Sequence, residues 1–319
     1  METPNKSPFF DLASEQGLLR TSIAVTLFIA TIGIAFGLAS GSFSIIFDGV
    51  YSLADAGMSG LSLVVVKLIT THATSRHVSR KLRERFTMGF WHLEPMVLAL
   101  NGILLSGVAL YALINAVSSL LEGGRHLEFG IAMVYAALTV IACATIAAVE
   151  ARANRELNSD FVGMDVKGWV MSASITAALL IAFCFGFAVQ GTQWEWVSPY
   201  IDPAVLALVC LVIIPLPLSV VRQAMADIFL VTPGDLMLHV DEVAGEFVAR
   251  HGLESYRAYV AKVGRSREIE LYFIVPKHLP AKSIEEWDAL RCEVGDAIGG
   301  EGPDRWLTVV FTADPEWAE

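Results

Sequence analysis

The chain has 319 residues, 55% of them hydrophobic and 17% charged, with a mean hydropathy of +0.57. Water-soluble domains carry about 25% charged residues, so a soluble globule is excluded and a membrane protein is indicated. The net charge of −11 resides mostly outside the apolar runs, and without a basic stripe and interleaved aromatics nucleic acid is excluded as a partner.

Residues 1–17 are polar and lack a basic stretch leading into a short apolar core, so no cleavable signal peptide is expected. Six apolar runs follow, near 18–39, 43–70, 93–121, 128–151, 164–188 and 203–224. Each is long enough for the ~20 residues a spanning helix needs. The first carries Gly33, Gly37 and Gly41 at four-residue spacing, a pattern for close helix packing, and Ser40-Gly41-Ser42 reads as a tight turn. Lys67 lies at the end of the second run, Arg76, Arg80, Lys81, Arg83 and Arg85 lie between the second and third, and Arg152 and Arg155 follow the fourth. Segment 190–200 has no basic residue and places Trp194, Trp196 and Tyr200 as an interfacial belt. The positive-inside rule therefore puts both termini and the 71–92 and 152–163 loops in the cytoplasm.

From Pro233 the pattern is that of a soluble unit. A helix is predicted from about 236 to 251 with Asp235 as N-cap, then strands near 255–263 and 267–275. Ser283-Ile284-Glu285-Glu286 is a capping box opening a second helix that stops at Gly299-Gly300, and 306–311 is a last strand. The fold class expected is a six-helix membrane domain, residues 18–228, followed by a cytoplasmic α+β domain, residues 229–319, of αββαβ, ferredoxin-like order. A unit this small has a small core, so pairing with a second copy is expected.

Carboxyls inside apolar runs mark function by default, because a charge in hydrocarbon costs about 2.5–3.5 kcal/mol on insertion scales. Asp48, Tyr51 and Asp55 share one stripe of the second run, and Asp165, Trp169 and Ser172 one stripe of the fifth. Two acids on separate helices could clamp a cation. For Asp48 the alternative is a helix-start residue at the outer interface, and for Asp165 an interfacial residue beside Lys167. Cys143, Cys184, Cys210 and Cys292 have no disulfide or zinc spacing and read as packing residues. His72, His77 and His126 read as surface loop residues, and His239, His251 and His278 lack ligand spacing.

These residues resemble the cation diffusion facilitator family of divalent metal/proton antiporters. Ser40-Gly41-Ser42, Asp48 and Tyr51-Ser52-Leu53-Ala54-Asp55 are similar to its second-helix signature, and Asp165 matches the first position of its His/Asp-x-x-x-Asp motif. Gly89, Glu94 and Pro95, then Asp202-Pro203, and the exit from Asp227 to Pro233 agree as well. The resemblance implies a homodimeric exporter in a bacterial inner membrane, exchanging a divalent cation for protons by alternating access, with no permanently bound cofactor. It is not an enzyme: no nucleophile–base pair stands at usable spacing.

The departures bear on the ligands. The family's four-ligand site would hold Tyr51 and Trp169 at two positions, leaving Asp55 and Asp165. Indole N–H is a donor only, and a neutral phenol with a reference pKa near 10 is a poor ligand. The loop positions where the family has His are Phe86 and Phe90, and its His-x-Asp ending reads Thr312-Ala313-Asp314. The site expected is all-oxygen, completed by Ser52, Ser172, Asp48 or water, and suited to harder ions than zinc. Mn, Fe, Co, Zn and Mg stay open. His92 takes the place of a Lys that in the family interlocks with the Asp matching Asp227, either as a His–Asp pair at the dimer centre or as simple interfacial packing. The alternative function is a degenerate member that binds or regulates without transporting.

Overall fold

The computed structural model describes residues 15–74, 89–157, 160–302 and 304–319. Phe86, His77 and the basic positions 76–85 lie outside them. Among the described residues, five long helices come first: α1 (Glu15–Ser40), α2 (Phe43–Thr74), α3 (Leu93–Leu121), α4 (Phe129–Leu157) and α5 (Asp160–Val189). After a 3-10 turn, α6 (Ser198–Ile213) and α7 (Pro215–Ile228) complete the apolar part. Among the described residues, six stretches are long and apolar enough to cross a membrane, the last being Glu195–Ile228. Helices meet the demand of hydrocarbon that every backbone polar group be satisfied within the segment.

The sixth span differs from expectation at its start and in its middle. It begins at Ser198 rather than near 203, so Pro203 lies inside α6. Proline lacks an N–H and leaves the carbonyl four residues earlier without its helical partner. That carbonyl, of Pro199, accepts from Arg125 N at 2.8 Å instead. A second interruption falls at Ile214, immediately before Pro215.

Contacts divide the chain into two compact units, Met1–Gly60 with Asn101–Ser219 and Leu61–Leu100 with Val220–Glu319. In the first, the glycines of α1 admit close neighbours. A Cβ on Gly33 would run into the Tyr135 hydroxyl, and one on Gly37 would stand 2.8 Å from Ile46 N. Gly41 turns the chain between α1 and α2 at φ +76°, a conformation cheap only without a Cβ. Around this packing lies a core of Ile45, Phe129, Tyr135, Leu179 and Phe183. The start of α2 is held by a residue 160 positions away. Asp202, 2% exposed, accepts from Ser42 Oγ at 2.6 Å, Phe43 N at 3.0 Å and Ser44 N at 3.4 Å. It thus supplies the acceptors that a helix N-terminus lacks.

In the second unit the order after Pro233 is helix α8 (Gly234–His251), strands β1 (Ser255–Val263) and β2 (Ser266–Ile274), helix α9 (Ile284–Ile298) and strand β3 (Arg305–Thr312). The sheet order is β1-β2-β3, the first pair antiparallel and the second parallel. Gly264-Arg265 make a two-residue hairpin turn, with Gly264 at φ +60° as such turns require. Alternation along β2 points Ile269, Leu271 and Phe273 into a core shared with Val240, Ala244 and Phe247 of α8 and Leu290, Val294 and Ile298 of α9. The Ser283 capping box is formed in full. Asp235 is not the N-cap: α8 starts at Gly234, two residues earlier than expected, with Pro233 as its N-cap, and Asp235 sits in the first turn. There its charge still complements the helix dipole.

Candidate metal site among the apolar helices

In the first unit, α2 turns Asp48, Tyr51, Ser52 and Asp55 toward one cavity of about 210 Å³, and α5 turns Asp165, Trp169 and Ser172 toward the same space. Spacings of three and four residues put each set on one helical face. The volume holds several waters, since one needs only ~10–15 Å³ by the same measure. Asp48 and Asp165 are half-buried and Asp55 is exposed. Asn101 of α3 hydrogen-bonds the Asp55 side chain. Tyr51 is half-buried, its ring 5.5 Å from that of Phe47. Among the described residues, no three side chains of His, Cys, Asp and Glu form a ready cage for an ion.

Trp169 is committed elsewhere. It is 7% exposed, packed with Cys143 and Ala147, and its Nε1 donates to Ser22 Oγ of α1 at 2.8 Å. Its one polar atom is therefore spent on the fold, and the ring is a wall of the cavity.

Two participants were missed in the sequence. Cys143 of α4 lines the cavity with its sulfur 3.8 Å from Ser172 Oγ, although buried cysteines are usually inert packing. Glu150 of α4 is 2% exposed and hydrogen-bonds the side chains of Asp165 and Ser22. The signal for Glu150 was present, because it is an acid at the end of an apolar run, but nearby Arg152 and Arg155 make that end read as an interface.

The second unit holds the remaining candidates. His92, exposed, and Asp227 line one pocket with Trp91, Pro95 and Glu268. The cation beside Asp227 is Lys262, with Nζ 4.0 Å from Oδ2. Glu94 at the start of α3 accepts from Arg265 Nε at 2.9 Å and from its Nη2 at 3.3 Å. Phe90 is buried with Val65 and Ile69. Asp314 caps the last 3-10 turn by accepting from Glu316 N.

The sequence model of the cation efflux transmembrane domain matches residues 19–229. The chain belongs to the cation diffusion facilitator family. A search of curated proteins found no match. As a member of the cation diffusion facilitator family the protein is an integral membrane transporter of metal cations, not an enzyme. Of the two positions where the sequence resemblance expected a ligand and has none, Trp169 points its N–H at Ser22.

Proposed function

We propose that the protein exports a divalent cation in exchange for protons by alternating access, with Asp55 and Asp165 as ligands and proton carriers. The observation that supports this is the convergence of Asp48, Asp55 and Asp165, from two helices, on one cavity with the hydroxyls of Ser52 and Ser172. Carboxylate, hydroxyl and water favour a harder ion than zinc, with Mn²⁺, Fe²⁺ and Mg²⁺ ahead of Zn²⁺ and Co²⁺. Neighbouring acids in such a site take up protons when the ion leaves, since like charges resist joint ionisation. Opening to the two sides in turn then couples the fluxes.

The same reading makes the protein a homodimer of a bacterial inner membrane with cytoplasmic termini, a six-helix domain over 18–228, and a ferredoxin-like tail over 229–319 that pairs with its copy. His92 and Asp227 form the interlock between copies, with Lys262 as the alternative partner of Asp227. Uptake into proteoliposomes is the test. Asp55→Asn and Asp165→Asn should each abolish transport of every divalent ion that the wild type moves, and uptake surviving both changes refutes the site.

A second reading is favoured by Trp169, whose burial and bond to Ser22 fill a ligand position with structure. On that reading the chain binds or regulates without transporting, and wild-type proteoliposomes show metal binding and no flux.

A further inference from the structure

We propose that Glu150 is a direct ligand of the transported cation, holding it together with Asp165 between α4 and α5. The inference rests on the cavity being the cation's site. It adds a ligand from a third helix, where the sequence motifs supply none.

Three observations carry it. First, the Glu150 side chain is 2% exposed and meets the Asp165 side chain, which itself lines the cavity. Second, Glu150 Oε2 and Asp165 Oδ2 are both buried and receive no hydrogen bond from any third group, leaving only what the two acids share between themselves. Buried polar atoms are nearly always satisfied, so these two touching carboxyls are joined by a shared proton or, in its place, by a cation. Third, Glu150 is oriented. Ser22, 4% exposed, accepts from Trp169 Nε1 at 2.8 Å and keeps its own hydrogen for Glu150. Partners of that kind fix a ligand's direction at metal sites.

The chemistry of the pair selects the occupant. Two carboxylates in contact repel, and a cation between them removes the repulsion while accepting the free oxygens as ligands. Oxygen donors suit Mn²⁺ or Mg²⁺ better than soft ions. On this account Trp169 does not merely displace a ligand. Through Ser22 it aims the acid that takes the lost ligand's place.

The test uses the full chain purified in detergent, with Mn²⁺, Co²⁺ and Zn²⁺ each added alone. Binding is read by calorimetry and by the metal-dependent rise of the melting temperature. Glu150→Gln should weaken binding by more than about a hundredfold, beyond the 10–100-fold that outer partners of a ligand carry. Ser22→Ala should fall within that 10–100-fold range. Wild-type affinity in a folded Glu150→Gln, with Asp165→Asn binding lost, overturns the inference and leaves the reading of the cavity standing. Wild-type affinity in both Asp55→Asn and Asp165→Asn, or no binding by the wild type, overturns that reading and the inference with it. If Glu150→Gln does not fold, Glu150→Asp decides: a loss of at least about tenfold supports direct ligation, and unchanged affinity overturns it.

Discussion

Asp202 offers a test of what fixes α2, the helix that carries more of the cavity's polar side chains than any other. Its carboxyl accepts from the Ser42 hydroxyl and the Phe43 amide at 2.6 and 3.0 Å, with a longer contact to Ser44 N. Asp202→Ala leaves the Ser42 hydroxyl and the Phe43 amide without this acceptor, in a site where Ser42 and Ser44 are buried. Each orphaned buried group costs about 1–3 kcal/mol, and losing an anion at the helix start costs ~0.3–1 kcal/mol more. The expected loss is therefore about 2–7 kcal/mol, reaching the top of what single substitutions do.

Asp202→Asn keeps the shape but turns an amide N–H₂ toward one of the two donors, and should lose about 1–3 kcal/mol. Ser44→Ala removes only the bond from its hydroxyl to the Asp202 carbonyl at 3.0 Å, worth about 1 kcal/mol. Unfolding in mixed detergent and dodecyl sulfate micelles, followed by circular dichroism, ranks the three. Asp202→Ala within about 1 kcal/mol of wild type would refute the reasoning, because the orphaned donors would then have found water or another acceptor.

Two further outcomes test packing and charge. Gly33→Ala should destabilise by about 1–3 kcal/mol, and Tyr135→Phe in the same chain should recover much of it, since the clash is with the hydroxyl. Gly37→Ala meets the backbone of Ile46, so melting curves should show a larger loss that no side-chain change relieves. In the tail, the hydrogen bond from His251, reinforced by Arg250, holds the Glu293 carboxyl below its ordinary 4.5. Its lowered value in the folded state stabilises the fold above the unfolded pKa, and that contribution fades as pH falls through the folded one. Thermal melts should show wild type ahead of Glu293→Gln at pH 7, and the difference gone below the folded pKa.

The sequence by itself determined the parts whose physics is local. Apolar runs must be helical to satisfy their own backbone in hydrocarbon, so the long apolar helices were legible, as was the capping box at Ser283, which is closed within four residues. Local signals could also mislead: Asp235 reads as a cap because it is a good capping residue, yet α8 already begins at Gly234. The candidate site was half legible. Asp48, Asp55 and Asp165 stand out as acids in apolar runs, and their stripes follow from helical periodicity.

What tertiary structure alone decided is which distant groups complete those stripes. Nothing near Trp169 in sequence announces Ser22, 147 positions away, and nothing near Ser42 announces Asp202. Glu150 and Asp165 meet only because α4 and α5 pack side by side. Periodicity says which face of a helix a residue occupies but not which neighbour that face meets. The neighbour is chosen by packing over the whole unit, through close approaches such as those Gly33 and Gly37 permit.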